Sequence, residues 1–92
     1  MMLYSVEIKE QAQQDLKALS KSEPKAYKKA LALIAELYIH PQCGTGKPER
    51  LKGGDGELWS RRISQKHRLV YEIIDKVVHV DVLSAYGHYG DK

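Results

Sequence analysis

Apolar and polar residues alternate at the start of the chain and then change period. Tyr4, Val6 and Ile8 alternate with polar neighbours, and this period of two predicts a half-buried β-strand. From about Glu10, apolar residues recur at every third or fourth position, which places them along one side of a helix. The apolar residues of this predicted helix are Ala12, Leu16 and Leu19, and Ile8 precedes them at the same helical spacing.

A short polar break separates this helix from a second one. Ser22 is suited to be the N-cap of the second helix, with Glu23 and Pro24 in its first turn. The apolar pattern then continues to about Tyr38 or Ile39. We interpret the lysines of this helix as a solvated face, with contact to an acidic partner or RNA as the alternative; they are Lys25, Lys28 and Lys29.

Strands joined by short turns are predicted for the second half of the chain. Their arrangement favours an antiparallel meander. The predicted fold class is therefore α+β in the order β-α-α-β-β-β, with two helices packed on one face of a mostly antiparallel sheet and the other face open to a ligand. The strands are expected at residues 58–63, 68–74 and 77–83, with a shorter one starting at residues 50–51 and a two-residue turn at residues 75–76.

Size and composition limit the classes of function. The 92 residues predict one domain, 1–92, and the net charge of +3 permits a nucleic-acid partner. The single cysteine, Cys43, excludes an internal disulfide and fits a cytoplasmic protein. No apolar run is long enough for a membrane span, and the histidines lack metal-ligand spacing, so we predict neither membrane association nor a metal site.

Basic residues concentrate in the middle of the chain. All four arginines lie between Arg50 and Arg68, and residues 44–70 hold seven basic but only three acidic residues. Arginine matches phosphate oxygens in two-point contacts, so the cluster predicts a phosphate-bearing partner. Glu49 lies inside this cluster, where cationic neighbours favour the ionised form that a base needs. The P-loop spacing is absent, so nucleotide triphosphates are not the predicted ligand.

These residue types suit RNA cleavage without a metal. Attack of the 2′-hydroxyl on the adjacent phosphate needs a base, an acid for the leaving oxygen, and cations around the transition state. Glu49 can be the base and His88 the acid. The cationic and aromatic candidates for holding phosphate or RNA are Arg62, Arg68, Lys52, Lys47, Arg61, Tyr89, Tyr86 and Trp59.

Each candidate also has an ordinary structural interpretation. Glu49 can be a surface carboxylate paired with Lys47 or Lys52, and His88 can be a solvated histidine near a terminus. The other structural interpretations are Arg62 and Arg68 as salt-bridge partners of Glu72 or Asp81, Trp59 in the core, His79 in a strand, and His67 exposed in a turn.

Four segments carry a family resemblance. They are GKPExLK at 46–52, LWSRRI at 58–63, HRLVY at 67–71 and GHY at 87–89. In order and spacing these segments resemble the YoeB/Txe branch of the RelE/ParE toxin superfamily. Two departures are Tyr86, where members often carry arginine, and the extension through residues 90–92.

The resemblance implies a RelE-like fold and the toxin of a type II toxin–antitoxin pair. Such toxins are endoribonucleases that cut mRNA in the A site of the 70S ribosome, leave a 2′,3′-cyclic phosphate and use no cofactor. The implied partner is a YefM/Axe-like antitoxin with an acidic tail, and homodimers are implied as well. The implied roles are general base for Glu49, general acid for His88, phosphate binding for Arg62 and Arg68, and support from Lys52 and Tyr89.

Two other functions remain open on sequence. ParE-like relatives share the fold and inhibit DNA gyrase without cleaving RNA, although they generally lack the glutamate and histidine pair. A basic module that binds an acidic protein segment would need only the arginine cluster.

Overall fold

The first strand runs directly into two helices, in a computed structural model that describes residues 3–52 and 57–87. These elements are β1 (Ser5–Ile8), α1 (Glu10–Ser22) and α2 (Pro24–Leu37). Both helices bury most of the apolar stripe that their sequences predict, but α2 ends at Leu37, and Tyr38 and Ile39 are exposed. The buried residues include Ala12, Leu16 and Leu19 of α1, and Ala30, Leu33, Ile34 and Leu37 of α2.

A single residue, Glu23, separates α1 from α2. Its amide donates to the Leu19 carbonyl at 2.8 Å, the last backbone hydrogen bond of α1. Pro24 is the first residue of α2, where the lack of an N–H costs nothing because the first amides of a helix have no partner within the helix. The prediction that Ser22 caps α2 is wrong, because Ser22 lies in the last turn of α1 and its hydroxyl donates to the Ala18 carbonyl. The Glu23 side chain makes no capping bond, which leaves its carboxylate available to the sheet.

In the described part of the chain, five strands form one sheet in the order β1-β5-β4-β3-β2. Within this sheet β1 and β5 pair in parallel, and the other neighbours are antiparallel. The α+β class and the meander are therefore confirmed. The four later strands are β2 (Glu49–Leu51), β3 (Glu57–Arg62), β4 (Arg68–Ile74) and β5 (His79–Ser84).

The connection between β4 and β5 differs from the prediction. A 3₁₀ turn at Asp75–Val77 replaces the expected two-residue turn, and Val78 adopts a left-handed φ of 51°. Because this longer turn uses Val77, β5 begins at His79.

The two faces of the sheet have different surroundings. Leu69, Tyr71 and Ile73 of β4 join the core under the helices, together with Val80 and Val82 of β5. On the other face Leu58 and Val70 are only 5% and 2% exposed, so the centre of this face is covered. The sequence predicted instead that this face would be open to a ligand. No helix in the described part of the chain is long and apolar enough to cross a membrane.

Candidate active site

Three of the predicted site residues meet on the sheet face opposite the helices. Glu49 of β2 pairs with Ser60 of β3, and Arg62 of β3 pairs with Arg68 of β4. Side chains alternate along a strand, so Ser60 and Arg62 share a face with each other and with their cross-strand partners. Strand register therefore brings Glu49, Arg62 and Arg68 together at one end of the sheet.

An ion pair joins the two outer members of this group. Arg68 Nη1 lies 3.7 Å from Glu49 Oε1, so the arginine side chain crosses β3 to reach β2. The Glu49 side chain is 64% exposed, and a pair so accessible to water stabilises a fold by at most about 1 kcal/mol. Glu49 thus pairs with Arg68, not with Lys47 or Lys52 as its structural interpretation supposed. The contact matters for position more than for stability.

A cationic cavity opens beside this pair. Its volume is about 570 Å³. Among the described residues that line it, four are cationic and none is acidic, which suits a phosphodiester. The cationic side chains come from four different segments: Lys29, Lys47, Arg62 and Arg68. The position of Lys29 differs from the main sequence interpretation, a solvated helix face, and is compatible with the alternative of contact to an acidic partner or RNA.

The loop before β2 is locked to the end of β3. The Gly46 carbonyl accepts a 2.6 Å hydrogen bond from the Arg62 amide. Gly46 has φ of 86°, and a Cβ there would lie 3.0 Å from the Arg62 carbonyl oxygen. A side chain at this position would be strained and crowded, so glycine is favoured there, and the backbone it adopts places Lys47 at the cavity. Lys47 itself holds a left-handed φ of 51°.

Arg61 points away from this cavity, which corrects its assignment to the RNA-binding set. Its side chain is fully buried on the helix side of β3 and therefore inaccessible to RNA. Nε donates to the Tyr71 hydroxyl at 3.0 Å. The other donors reach Glu36 Oε1 in the last turn of α2 at 2.6 Å, and the carbonyls of His40 and Cys43 in the loop that follows α2 at 2.7 Å.

Glu36 balances the buried charge of Arg61. Burial alone would raise the pKa of the Glu36 carboxyl, but hydrogen bonds from Thr45 and Arg61 outweigh burial and lower it. Desolvation raises the pKa of the Tyr71 phenol, which stays a hydroxyl and donates to the Pro41 carbonyl at 2.8 Å. Arg61 and Arg62 look alike in sequence, but successive side chains of a strand point to opposite faces of the sheet, so β3 places Arg61 in the core and Arg62 at the cavity.

The remaining predicted residues have different surroundings. Lys52 is exposed just after β2 and does not line the cavity. Trp59 is half-buried against the core, in agreement with its structural interpretation. His67, expected to be exposed, is only 3% exposed and contacts Glu23. His88 and Tyr89 lie outside the described residues.

One group in the described chain could offer three metal ligands, which histidine spacing alone did not reveal. Atoms of Glu7, His79 and Asp81 lie within 4.8 Å of one another on β1 and β5. His79 bonds Asp81 at 2.8 Å through Nε2 and Ser5 Oγ at 2.6 Å through Nδ1, while Glu7 pairs with Lys9. These protein contacts satisfy the group, so we assign it a structural role.

Solved structures with the same fold define the class of protein. A chain of the archaeal RelE–RelB complex from Pyrococcus horikoshii has a TM-score of 0.75 at 22% identity, covering 95% of this chain and 96% of its own. The YoeB/ParE toxin from Agrobacterium tumefaciens has a TM-score of 0.81 at 29% identity, covering 92% and 99%. The chain therefore has the fold of the RelE-like toxins.

Sequence comparison narrows this class to one family. Residues 8–89 match the model of the YoeB-like toxin of bacterial type II toxin–antitoxin systems. Toxin YoeB of Streptomyces coelicolor is 41% identical over 70 residues, which cover 76% of this chain and 81% of that protein. The YoeB dimer from Staphylococcus aureus has a TM-score of 0.78 at 33% identity, covering 94% of this chain and 98% of that chain. The chain belongs to the YoeB-like toxin family.

Proposed function

We propose that this toxin is an mRNA endoribonuclease that cuts in the ribosomal A site and so inhibits translation. The observation that carries the proposal is the Glu49–Arg68 ion pair beside the cationic cavity. It sets a carboxylate that can accept a proton next to guanidinium groups that can hold a phosphate. An exposed carboxylate is also accessible to a large substrate.

The proposed chemistry uses side chains alone. Glu49 accepts the proton of the 2′-hydroxyl, whose oxygen attacks the adjacent phosphorus. Arg62 and Arg68 donate to the non-bridging oxygens as negative charge grows on them. The bond to the 5′-oxygen breaks, and His88 supplies a proton to that oxygen. The products are a 2′,3′-cyclic phosphate and a 5′-hydroxyl end.

The cationic cavity also suits an acidic protein segment. A YoeB–YefM complex from Staphylococcus aureus contains a chain with a TM-score of 0.74 to this one at 33% identity. By extension, we propose that a YefM-like antitoxin neutralises this toxin by covering the cavity. The YoeB dimer from the same species likewise suggests that this chain forms a homodimer, which light scattering of the purified toxin tests.

The test uses stalled ribosomes carrying mRNA with an open A site. Wild type, Glu49→Gln and His88→Gln are compared, with Glu10→Gln as the matched control because Glu10 is exposed at the start of α1, far along the chain from the site. We expect discrete A-site cuts from wild type and the control. Losing a positioned acid or base should slow cleavage about 10²–10⁴-fold.

The chemistry of the cut ends tests the mechanism separately. A 2′,3′-cyclic phosphate resists alkaline phosphatase until acid opens the ring, whereas a simple 3′-phosphate does not. Full activity of both site variants would refute the assigned acid–base pair. Intact mRNA together with DNA breaks in expressing cells would favour the gyrase alternative. Intact mRNA with tight binding of an acidic segment alone would favour the binding module.

A further inference from the structure

His67 is a buried polar residue that the proposed chemistry does not use. It lies at the end of the β3–β4 turn, only 3% exposed, and both ring nitrogens have partners. Nε2 lies 2.6 Å from Glu23 Oε2, and the Gly87 amide donates to Nδ1 at 2.9 Å. The ring also packs against Tyr86, with centroids 4.4 Å apart. One side chain therefore joins the α1–α2 junction to the chain segment after β5.

The direction of these bonds fixes the tautomer. A backbone amide can only donate, so Nδ1 must carry no proton, and the proton of the neutral ring is on Nε2. Nε2 then donates to Glu23, whose carboxylate accepts it. The hydrogen bond with His67 lowers the pKa of the Glu23 carboxyl, and nearby Lys66 acts in the same direction, so Glu23 remains an ionised acceptor at neutral pH.

Arg68, the residue after His67, binds the other backbone group of Gly87, its carbonyl. The Arg68 amide donates to the Gly87 carbonyl at 2.9 Å, so His67 and Arg68 together hold both backbone groups of Gly87. Gly87 has φ of 76°, a left-handed conformation, and a Cβ there would meet no atom of the described residues within 4 Å. Among the described residues, the direction of the chain at Gly87 is therefore set by these two hydrogen bonds and by its φ.

Gly87 is the residue immediately before His88, and the side chain of Arg68 pairs with Glu49. We propose that Glu23 and His67 are positioning residues that fix the backbone leading into His88 relative to Arg68 and Glu49. Glu23 accepts the proton on His67 Nε2 and so favours this tautomer, and His67 Nδ1 accepts the hydrogen bond from the Gly87 amide. The inference rests on the proposed function, in which His88 is the acid that protonates the leaving oxygen.

Two near-isosteres of histidine separate the two contacts. In His67→Asn, the side-chain oxygen takes the place of Nδ1 and still accepts from Gly87, but the contact with Glu23 is lost. In His67→Gln, the side-chain nitrogen takes the place of Nε2 and still donates to Glu23, but no acceptor faces Gly87. Both variants lose one buried hydrogen bond, so a purely structural role would weaken both alike.

Single-turnover cleavage on stalled ribosomes gives the first readout. We expect His67→Gln to lower the maximal rate by about 10–100-fold, since a small misplacement of a catalytic group is costly. The apparent affinity for the ribosome should change less than about twofold, because transition-state geometry is lost and not ground-state binding. His67→Asn should keep a rate within about threefold of wild type, since the Gly87 contact survives.

Hydrogen exchange of the Gly87 amide gives a readout that does not need activity. Protection in wild type and His67→Asn but not in His67→Gln supports the inference, even if wild type cuts no mRNA and the proposed function fails. Equal protection in both variants overturns it. Equal rates for both variants in an active toxin also overturn it, and leave the proposed function standing.

Discussion

Neighbouring arginines at positions 61 and 62 point to opposite faces of β3 and should respond to replacement in opposite ways. Arg61→Met removes the partner of half-buried Glu36 and leaves the His40 and Cys43 carbonyls and the Tyr71 hydroxyl without their donor. Removing one partner of a fully buried ion pair costs about 3–5 kcal/mol, and because the Glu36 side chain left behind is 26% exposed, we expect the lower end of that range, about 3 kcal/mol. That is a large part of the about 5–15 kcal/mol that stabilises a domain.

Arg62→Met is the matched control, because Arg62 is exposed at the cavity. We expect its free energy of unfolding to stay within about 0.5 kcal/mol of wild type. Its cleavage rate should fall about 10²-fold, as when one donor to a developing oxyanion is removed. Arg61→Lys keeps the charge but cannot reach all of the acceptors, so an intermediate loss of stability is expected.

Urea unfolding measures these differences. Trp59 is the only tryptophan and packs against the core, so its fluorescence reports the transition directly. If Arg61→Met were as stable as Arg62→Met, the buried network would not be holding the loop after α2, and the reasoning would be refuted. If folded Arg61→Met lost cleavage while Arg62→Met retained it, the two assignments would have to be exchanged.

Three further changes test other parts of the structure. Gly46→Ala should cost about 1–3 kcal/mol in urea unfolding, because alanine at φ of 86° is strained and its Cβ meets the Arg62 carbonyl; an unchanged midpoint would contradict the close approach. Val78→Asn should raise stability by up to about 1 kcal/mol, because asparagine tolerates the left-handed φ of 51° better than valine; a clear loss would mean that packing of Val78 outweighs its strain. The depressed pKa of Glu36 implies stability that is complete above the ordinary value of 4.5 and is lost as pH falls through the lower folded value. Compared with Glu36→Gln, wild type should therefore lose more stability on acidification below about pH 4.5, and parallel curves would exclude this ionisation as the cause.

Local patterns predicted the secondary structure well because burial has a fixed period in each element. The apolar stripe at Ala12, Leu16 and Leu19 requires a helix that covers a sheet, and the structure buries all three. Turn chemistry was less informative. Serine is a common N-cap residue, but the N-cap position of α2 is Glu23, one residue after Ser22. Pro24 and the hydrogen bond from the Glu23 amide to the Leu19 carbonyl set this boundary.

Residue types and the family resemblance indicated the chemistry of the site and three of its members, but not their geometry or the complete set of residues. Glu49, Arg62 and Arg68 belong to three strands, and their proximity follows from pairing between β2, β3 and β4. Lys29 reaches the cavity only because α2 packs beside the sheet, and nothing in its local sequence distinguishes it from Lys28. The assignment of Arg61 to the RNA-binding set was wrong because charge alone predicts exposure, whereas Glu36 and the His40 carbonyl compensate the burial of its guanidinium group.

The sequence by itself determined the element order, the α+β class, the basic character and the residue types for acid–base cleavage, because these depend on local period and composition. The tertiary structure decided which of the adjacent arginines lines the cationic cavity, which carboxylate pairs with Arg68, and which groups His67 contacts. Those answers depend on strand parity and on contacts between residues far apart in the chain, such as Glu23 with His67 and His67 with Gly87. No local pattern encodes such contacts, since each is fixed only when helices and sheet close over one core.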